Sequence, residues 1–176
     1  MLSGPSRRRG QRRHGAFAGG DRVTLSRIGS AASCTQPYHA SVFNISAMSF
    51  GALSANAILA LNGGAKRGGF AHDTGEGSIS THHRVHGGDL IWEIGSGYFG
   101  CRHHDGRFNA EAFAAAARDP QVKMIELKLS QGAKPGHGGV LPGAKVTPEI
   151  AEARHVPVGV DCISPALILP FSTRVS

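Results

Sequence analysis

Apolar positions along this chain fall into two rhythms. Short runs with β-branched residues occur at 41–48 (SVFNISAM), 89–94 (DLIWEI) and 122–129 (VKMIELKL), and each gives way to a glycine-rich or polar stretch. That pattern predicts strands running into loops. Between them, apolar residues recur at helical spacing. Ser54 is placed to cap a helix over ANAILALNGGAKR, and Asn109 to cap one over the alanine-rich segment that follows it. Thr147 and Pro148 occupy the N-cap and first helical positions of TPEIAEARH. The pieces DRVTL, GFAHD and VPVGVDCIS read as further brief strands. Strands alternating with helices predict parallel βαβ units, with chemistry in the loops after the strands' C-terminal ends.

Charge changes the picture in one place. The formal net charge is +7, but Arg7, Arg8, Arg9, Arg12 and Arg13 supply five of the positive charges, so 7 − 5 leaves +2 for the rest. Residues 1–33 are therefore expected to be a basic, disordered arm, and residues 34–176 the folded domain. A near-neutral body argues against a nucleic-acid-binding domain. No run approaches the roughly 18 apolar residues of a membrane span. Three scattered cysteines, Cys34, Cys101 and Cys162, point to reduced thiols in a cytoplasmic setting and not to a disulfide or metal framework.

Several short motifs carry candidate chemistry. GSGYFG at 95–100 fits a dinucleotide fingerprint, yet CRHHDGRF follows it where a helix should open, so a tight glycine turn is the better reading. The pairs His82–His83 and His103–His104 lack zinc-like partners and, read on strands, point to opposite faces as exposed or hydrogen-bonding groups. DTGEG sets Glu76 between glycines after a strand. The segment 128–139 (KLSQGAKPGHGG) ends an apolar run in a flexible turn carrying Lys128, Gln131 and Lys134. Lys128, at a strand terminus, is expected to be partly buried, and a buried lysine needs an anionic partner.

Taken in order, ISAMSFGALS, DTGEGSIS, LIWEIGSGYFGCR, VKMIELKLSQGAKPGHGGVLPGAKVTPEIAEAR and DCISP resemble the FMN-binding synthase domain of the glutamate synthase large-subunit family. The resemblance spans roughly 34–165. It implies a (β/α)8 TIM barrel with FMN at the C-terminal mouth, where reduced flavin passes a hydride to 2-iminoglutarate, formed from 2-oxoglutarate and ammonia, to give L-glutamate. By motif position, Lys128 is expected beside the flavin as a catalytic and cofactor-binding group. Glu76 is expected to orient or protonate the imine nitrogen. Gln131, Lys134 and Arg154 are expected to bind the substrate carboxylates, and Met48 and Ser49 to line the flavin. The resemblance also implies an NAD(P)H-oxidising subunit or ferredoxin as electron donor, and free or partner-supplied ammonia.

The family pattern stops after Pro165, where only the first half of such a barrel has been specified. The cysteines of the family's 3Fe–4S centre are not among the residues present. The expectation is a partial barrel, an incomplete and inactive fragment that holds FMN weakly or not at all. The alternatives are a non-catalytic protein that binds partners through its basic arm, and an inactive gene remnant.

Overall fold

The computed structural model describes residues 25–29, 31–131, 134, 136–166 and 168. The arginines of the basic arm, the first four residues of DRVTL, and residues 132, 133 and 135 of the lysine loop lie outside the described residues.

Three strands pair in parallel: β3 (His72–Asp73), β4 (Leu90–Ile94) and β5 (Val122–Leu127), in the order β3-β4-β5. The other described strands form two separate antiparallel pairs. One joins β1 (Leu25–Ile28) to β2 (Tyr38–Ser41); the other joins β6 (Gly139–Leu141) to β7 (Cys162–Ser164). The helices are α1 (Ala55–Gly68), α2 (Thr81–Arg84), α3 (Ala110–Ala117) and α4 (Pro148–Arg154), with a 3-10 turn at Gly143–Lys145. The order β3-α2-β4-α3-β5 makes this a mixed α/β chain with a parallel sheet, as the alternation in the sequence predicts.

The caps fall on the expected residues. Ser54 Oγ accepts from Ala57 N at 3.3 Å, and Thr147 Oγ1 accepts from Ile150 N at 3.4 Å. Asn109 Oδ1 accepts from Glu111 N at 3.1 Å and Ala112 N at 3.0 Å. Each satisfies an amide that the first helical turn leaves without a partner. At its other end α1 stops at Gly69, whose φ of 68° closes the helix in the left-handed region.

The two faces of the sheet differ in kind. Leu90, Trp92 and Ile94 point to one side and are almost fully buried. There Trp92, the only tryptophan, stacks on Phe113 of α3 at 5.7 Å between ring centroids, with Tyr98, Cys101 and Phe108 around it. The opposite side carries Asp73, Glu93 and Glu126, because Glu93 pairs with Glu126 across the β4–β5 ladder while Asp73 pairs with Ile91. A second cluster joins Phe50, Ile58 and Phe99 to Val146 and Ile150, so α4 packs over the loops that leave the sheet.

Three expectations change. Leu25–Ile28, within the 1–33 arm expected to be disordered, forms β1 because it pairs with β2 along its whole length. The strand expected over 41–48 is not continuous: Ser41 closes β2, and only Ile45 bridges His72 in parallel. Side chains compete for the backbone there. Ser41 Oγ accepts from Phe43 N at 3.1 Å, a local bond, and Asn44 Oδ1 accepts from the distant Ala71 N at 3.0 Å, so side-chain bonds stand where ladder bonds would. His82 and His83 lie on helix α2 and not on a strand, because Ser80 caps a turn in that segment. The hydrogen-bonding reading of that pair holds: Ser80 N donates to His83 Nδ1 at 3.0 Å, and His82 Nε2 meets Glu149 at 3.3 Å.

Candidate functional site

The loops after β3, β4 and β5 meet at one end of the sheet. After β3, Asp73 Oδ1 accepts from Gly75 N at 2.9 Å and starts the acidic turn. Gly75 has φ 64°, and a Cβ there would lie 2.6 Å from Ser49 N, so this position requires glycine on two counts. Ser49 Oγ accepts from Gly77 N at 3.2 Å. Met48 and Ser49 thus clasp one side of the turn, and Glu76 projects from its tip. After β4, the stretch 95–100 makes a tight turn with Tyr98 at φ 49°, and the next helix begins only at Ala110. No helix opens for a pyrophosphate at that turn, in keeping with the glycine-turn reading.

After β5, Lys128 N donates to Ile94 O at 2.9 Å, which extends the ladder by one rung and fixes the main chain. The Lys128 side chain turns across the acidic face. Its Nζ lies 3.4 Å from Glu93 Oε1 and 3.7 Å from Glu76 Oε1. Gln131 Nε2 donates to that same Glu76 oxygen at 2.9 Å. Lys134 is exposed. A Cβ placed on Gly139 would meet Gln131 Nε2 at 3.1 Å and Lys134 Nζ at 3.9 Å, so both side chains reach the start of β6. Glu76, Lys128, Gln131 and Lys134 therefore gather around one mouth. The Ser96 hydroxyl donates to the Pro165 carbonyl across it, and the cavity beside Glu76 and Lys128 holds only about 10 Å³.

Arg154 is not among them. Only 6% exposed, its guanidinium donates to Phe50 O at 3.0 Å, lies 3.6 Å from Cys162 Sγ and sits over the Phe99 ring at 5.1 Å. Its Nη2 would lie 3.2 Å from a Cβ on Gly77, so it supports the acidic turn from beneath.

The floor of the mouth is acidic. Carboxylate oxygens of Asp73, Glu93 and Glu126 lie within 4.8 Å of one another. Burial pushes Asp73 up to about 7; the Gly75 amide opposes this, while Glu93 and Glu126 add to it. Burial also raises Glu93, with Lys128 pulling it back toward the ionised form. These three acids were not singled out as site residues from the sequence. Part of the signal was present: Glu93 is the lone charge of the apolar run LIWEI, where it has to face a polar interior, whereas Glu126 is exposed on a strand that also carries Lys123.

The donor set suits the pyrimidine edge of an isoalloxazine: an ammonium on one side of the acidic turn and a hydroxyl with its backbone amide on the other. The cysteines do not suit a metal cluster. Cys34 lies against the Gly29 turn, Cys101 packs in the Trp92 cluster and Cys162 in the Phe50 cluster.

Residues 23–173 match the family model described as a conserved region in glutamate synthase. Curated relatives agree. The chain is 42% identical over 142 residues to a glutamate synthase large subunit-like protein of Bacillus subtilis (strain 168), covering 80% of this chain and 27% of that protein. It is 42% identical over 120 residues to an archaeal-type glutamate synthase (NADPH) of Thermotoga maritima, covering 68% of this chain and 21% of the relative. An archaeal glutamate synthase (NADPH) of Methanocaldococcus jannaschii matches at 41% over 122 residues, with coverages of 69% and 21%. The chain spans between a fifth and about a quarter of the length of these relatives.

Proposed function

The chain belongs to the glutamate synthase family, and on that premise we propose that its mouth binds a 2-oxo dicarboxylate, 2-oxoglutarate in the first instance, beside FMN. The activity it serves is reduction of the derived imine to L-glutamate. The observation that carries this reading is the shared oxygen: Glu76 Oε1 lies within reach of both Lys128 Nζ and Gln131 Nε2. Those two donors already surround a carboxylate, and a substrate carboxylate can take its place. The parallel sheet is read here as the first part of a (β/α)8 barrel, with the loops after β3, β4 and β5 at its C-terminal mouth.

When bound, FMN supplies the hydride; the protein groups do the rest. Met48, Ser49 and Lys128 would hold the ring edge, and the Lys128 ammonium would supply positive charge beside it. Gln131 and Lys134 bind the substrate carboxylates, and Lys128, between ring edge and substrate, also faces the one that takes the place of Glu76. Glu76, released from Lys128 and Gln131, is free to orient or protonate the imine nitrogen. Arg154 keeps the acidic turn at its height through Phe50 and Gly77. The electron donor in this scheme is an NAD(P)H-oxidising flavoprotein or ferredoxin, and ammonia arrives free or from a partner.

The test is binding of 2-oxoglutarate to the purified chain by calorimetry. Lys128→Ala is expected to weaken it at least tenfold, about 1.4 kcal/mol or more. Lys123→Ala, which removes an exposed ammonium 4.0 Å from Asp89, should leave it within a factor of two. Equal losses in both variants would remove Lys128 from the site.

A further inference from the structure

Glu93 stands on β4, 3% exposed, on the acidic face of the sheet. Its backbone N–H donates to Thr74 Oγ1 at 3.2 Å, which fixes where the side chain leaves the strand. Among the described residues, the charged groups that face it are Glu126 from β5, Lys128 just beyond that strand, Asp73 from β3 and Glu76 from the turn above. Lys128 is the one cation in that set, and a carboxylate so deeply buried keeps its charge only against a cation.

The dependence also runs the other way. The Lys128 main chain is fixed by the ladder, but its four-carbon stem leaves Nζ free to swing. Two carboxylates hold it. Glu76 sits on a glycine-flanked turn, and its Oε1 is shared with Gln131. Glu93 sits on a strand in the middle of the sheet and approaches more closely, 3.4 Å against 3.7 Å. An incoming carboxylate that takes Gln131 also displaces Glu76. Glu93 is then the remaining partner of the ammonium.

We propose that Glu93 is the positioning residue for Lys128, anchoring its ammonium at the mouth while Glu76 is exchanged for an anionic ligand. This rests on the oxo-acid reading above. A bystander carboxylate at this depth would do the reverse: it would repel an anionic ligand, and neutralising it would tighten binding. The two roles therefore differ in the sign of one measurement.

Two experiments on the full chain decide it. In the first, the dissociation constant for 2-oxoglutarate is measured by calorimetry for the unmodified protein, Glu93→Gln and Glu126→Gln. Both variants remove one negative charge from the same face and keep side-chain size. Glu93→Gln is expected to weaken binding about tenfold, and Glu126→Gln to leave it unchanged or tighter. Unchanged or tighter binding in Glu93→Gln would overturn the assignment. In the second, with no ligand present, the Glu93 carboxyl is titrated by carbon-13 NMR in the unmodified protein and in Lys128→Gln. Its pKa is expected to rise in the variant, and an identical titration would also overturn the assignment. A chain that fails to bind 2-oxoglutarate yet shows the Glu93 shift keeps the anchor and loses the oxo-acid reading.

Discussion

His72 and Asp73 are neighbours on β3 whose side chains point to opposite faces, and burial moves their pKa values in opposite directions. Asp73 rises to about 7, whereas His72 falls to about 4 and His83, at 5.2 Å between ring centroids, to about 3. Between pH 4 and 7 the folded state holds a proton on Asp73 that the unfolded chain releases, so this term lowers stability as pH rises. Over roughly pH 4 to 6.5 the unfolded histidines bind protons that the folded ones refuse, so those terms raise stability as pH rises. The two slopes oppose each other. Asp73→Asn keeps an oxygen for the Gly75 amide and removes one slope. The variant should gain on the order of 2 kcal/mol relative to the parent by pH 8, with little change at pH 4. Urea unfolding across that range reads it directly; equal stability differences at both pH values would show that Asp73 ionises normally.

Helix α3 shows what a local pattern fixes. Asn109 satisfies two first-turn amides, and the alanines after it have high helix propensity. Asn109→Ala is expected to cost about 1 kcal/mol, read as a lowered thermal midpoint. The same local chemistry makes α1, α4, β4 and β5 legible in the sequence, since their caps and apolar runs are written in consecutive residues. The strand expected over 41–48 was not so legible, because Asn44 spends its side chain on Ala71, 27 residues away. The site divides along the same line. Lys128, Gln131 and Lys134 share one loop, and the sequence already groups them. Glu93 joins them only through the β4–β5 register, and Arg154 is set apart by burial beneath Gly77. Both facts belong to packing between segments, which no single stretch of the sequence encodes.

At the scale of the molecule, the sheet is covered unevenly. The Trp92 side lies under α3, but Ile125 and Leu127 on β5 remain 43% and 44% exposed, and Leu129 just beyond them 68%. A parallel strand with open apolar positions is an aggregation template. Replacing Ile125 and Leu127 with lysine should raise the concentration at which the warmed protein begins to scatter light by about twofold or more, with little change in the far-ultraviolet circular dichroism. Unaltered scattering would locate the adhesive surface elsewhere. The Trp92 ring has a consequence of a different sort. A single indole sealed from water and pressed against Phe113 makes the protein its own optical gauge: its emission lies to the blue while α3 stays seated on the sheet and moves to the red when that contact opens. Fluorescence at one wavelength therefore follows this one junction, without a label.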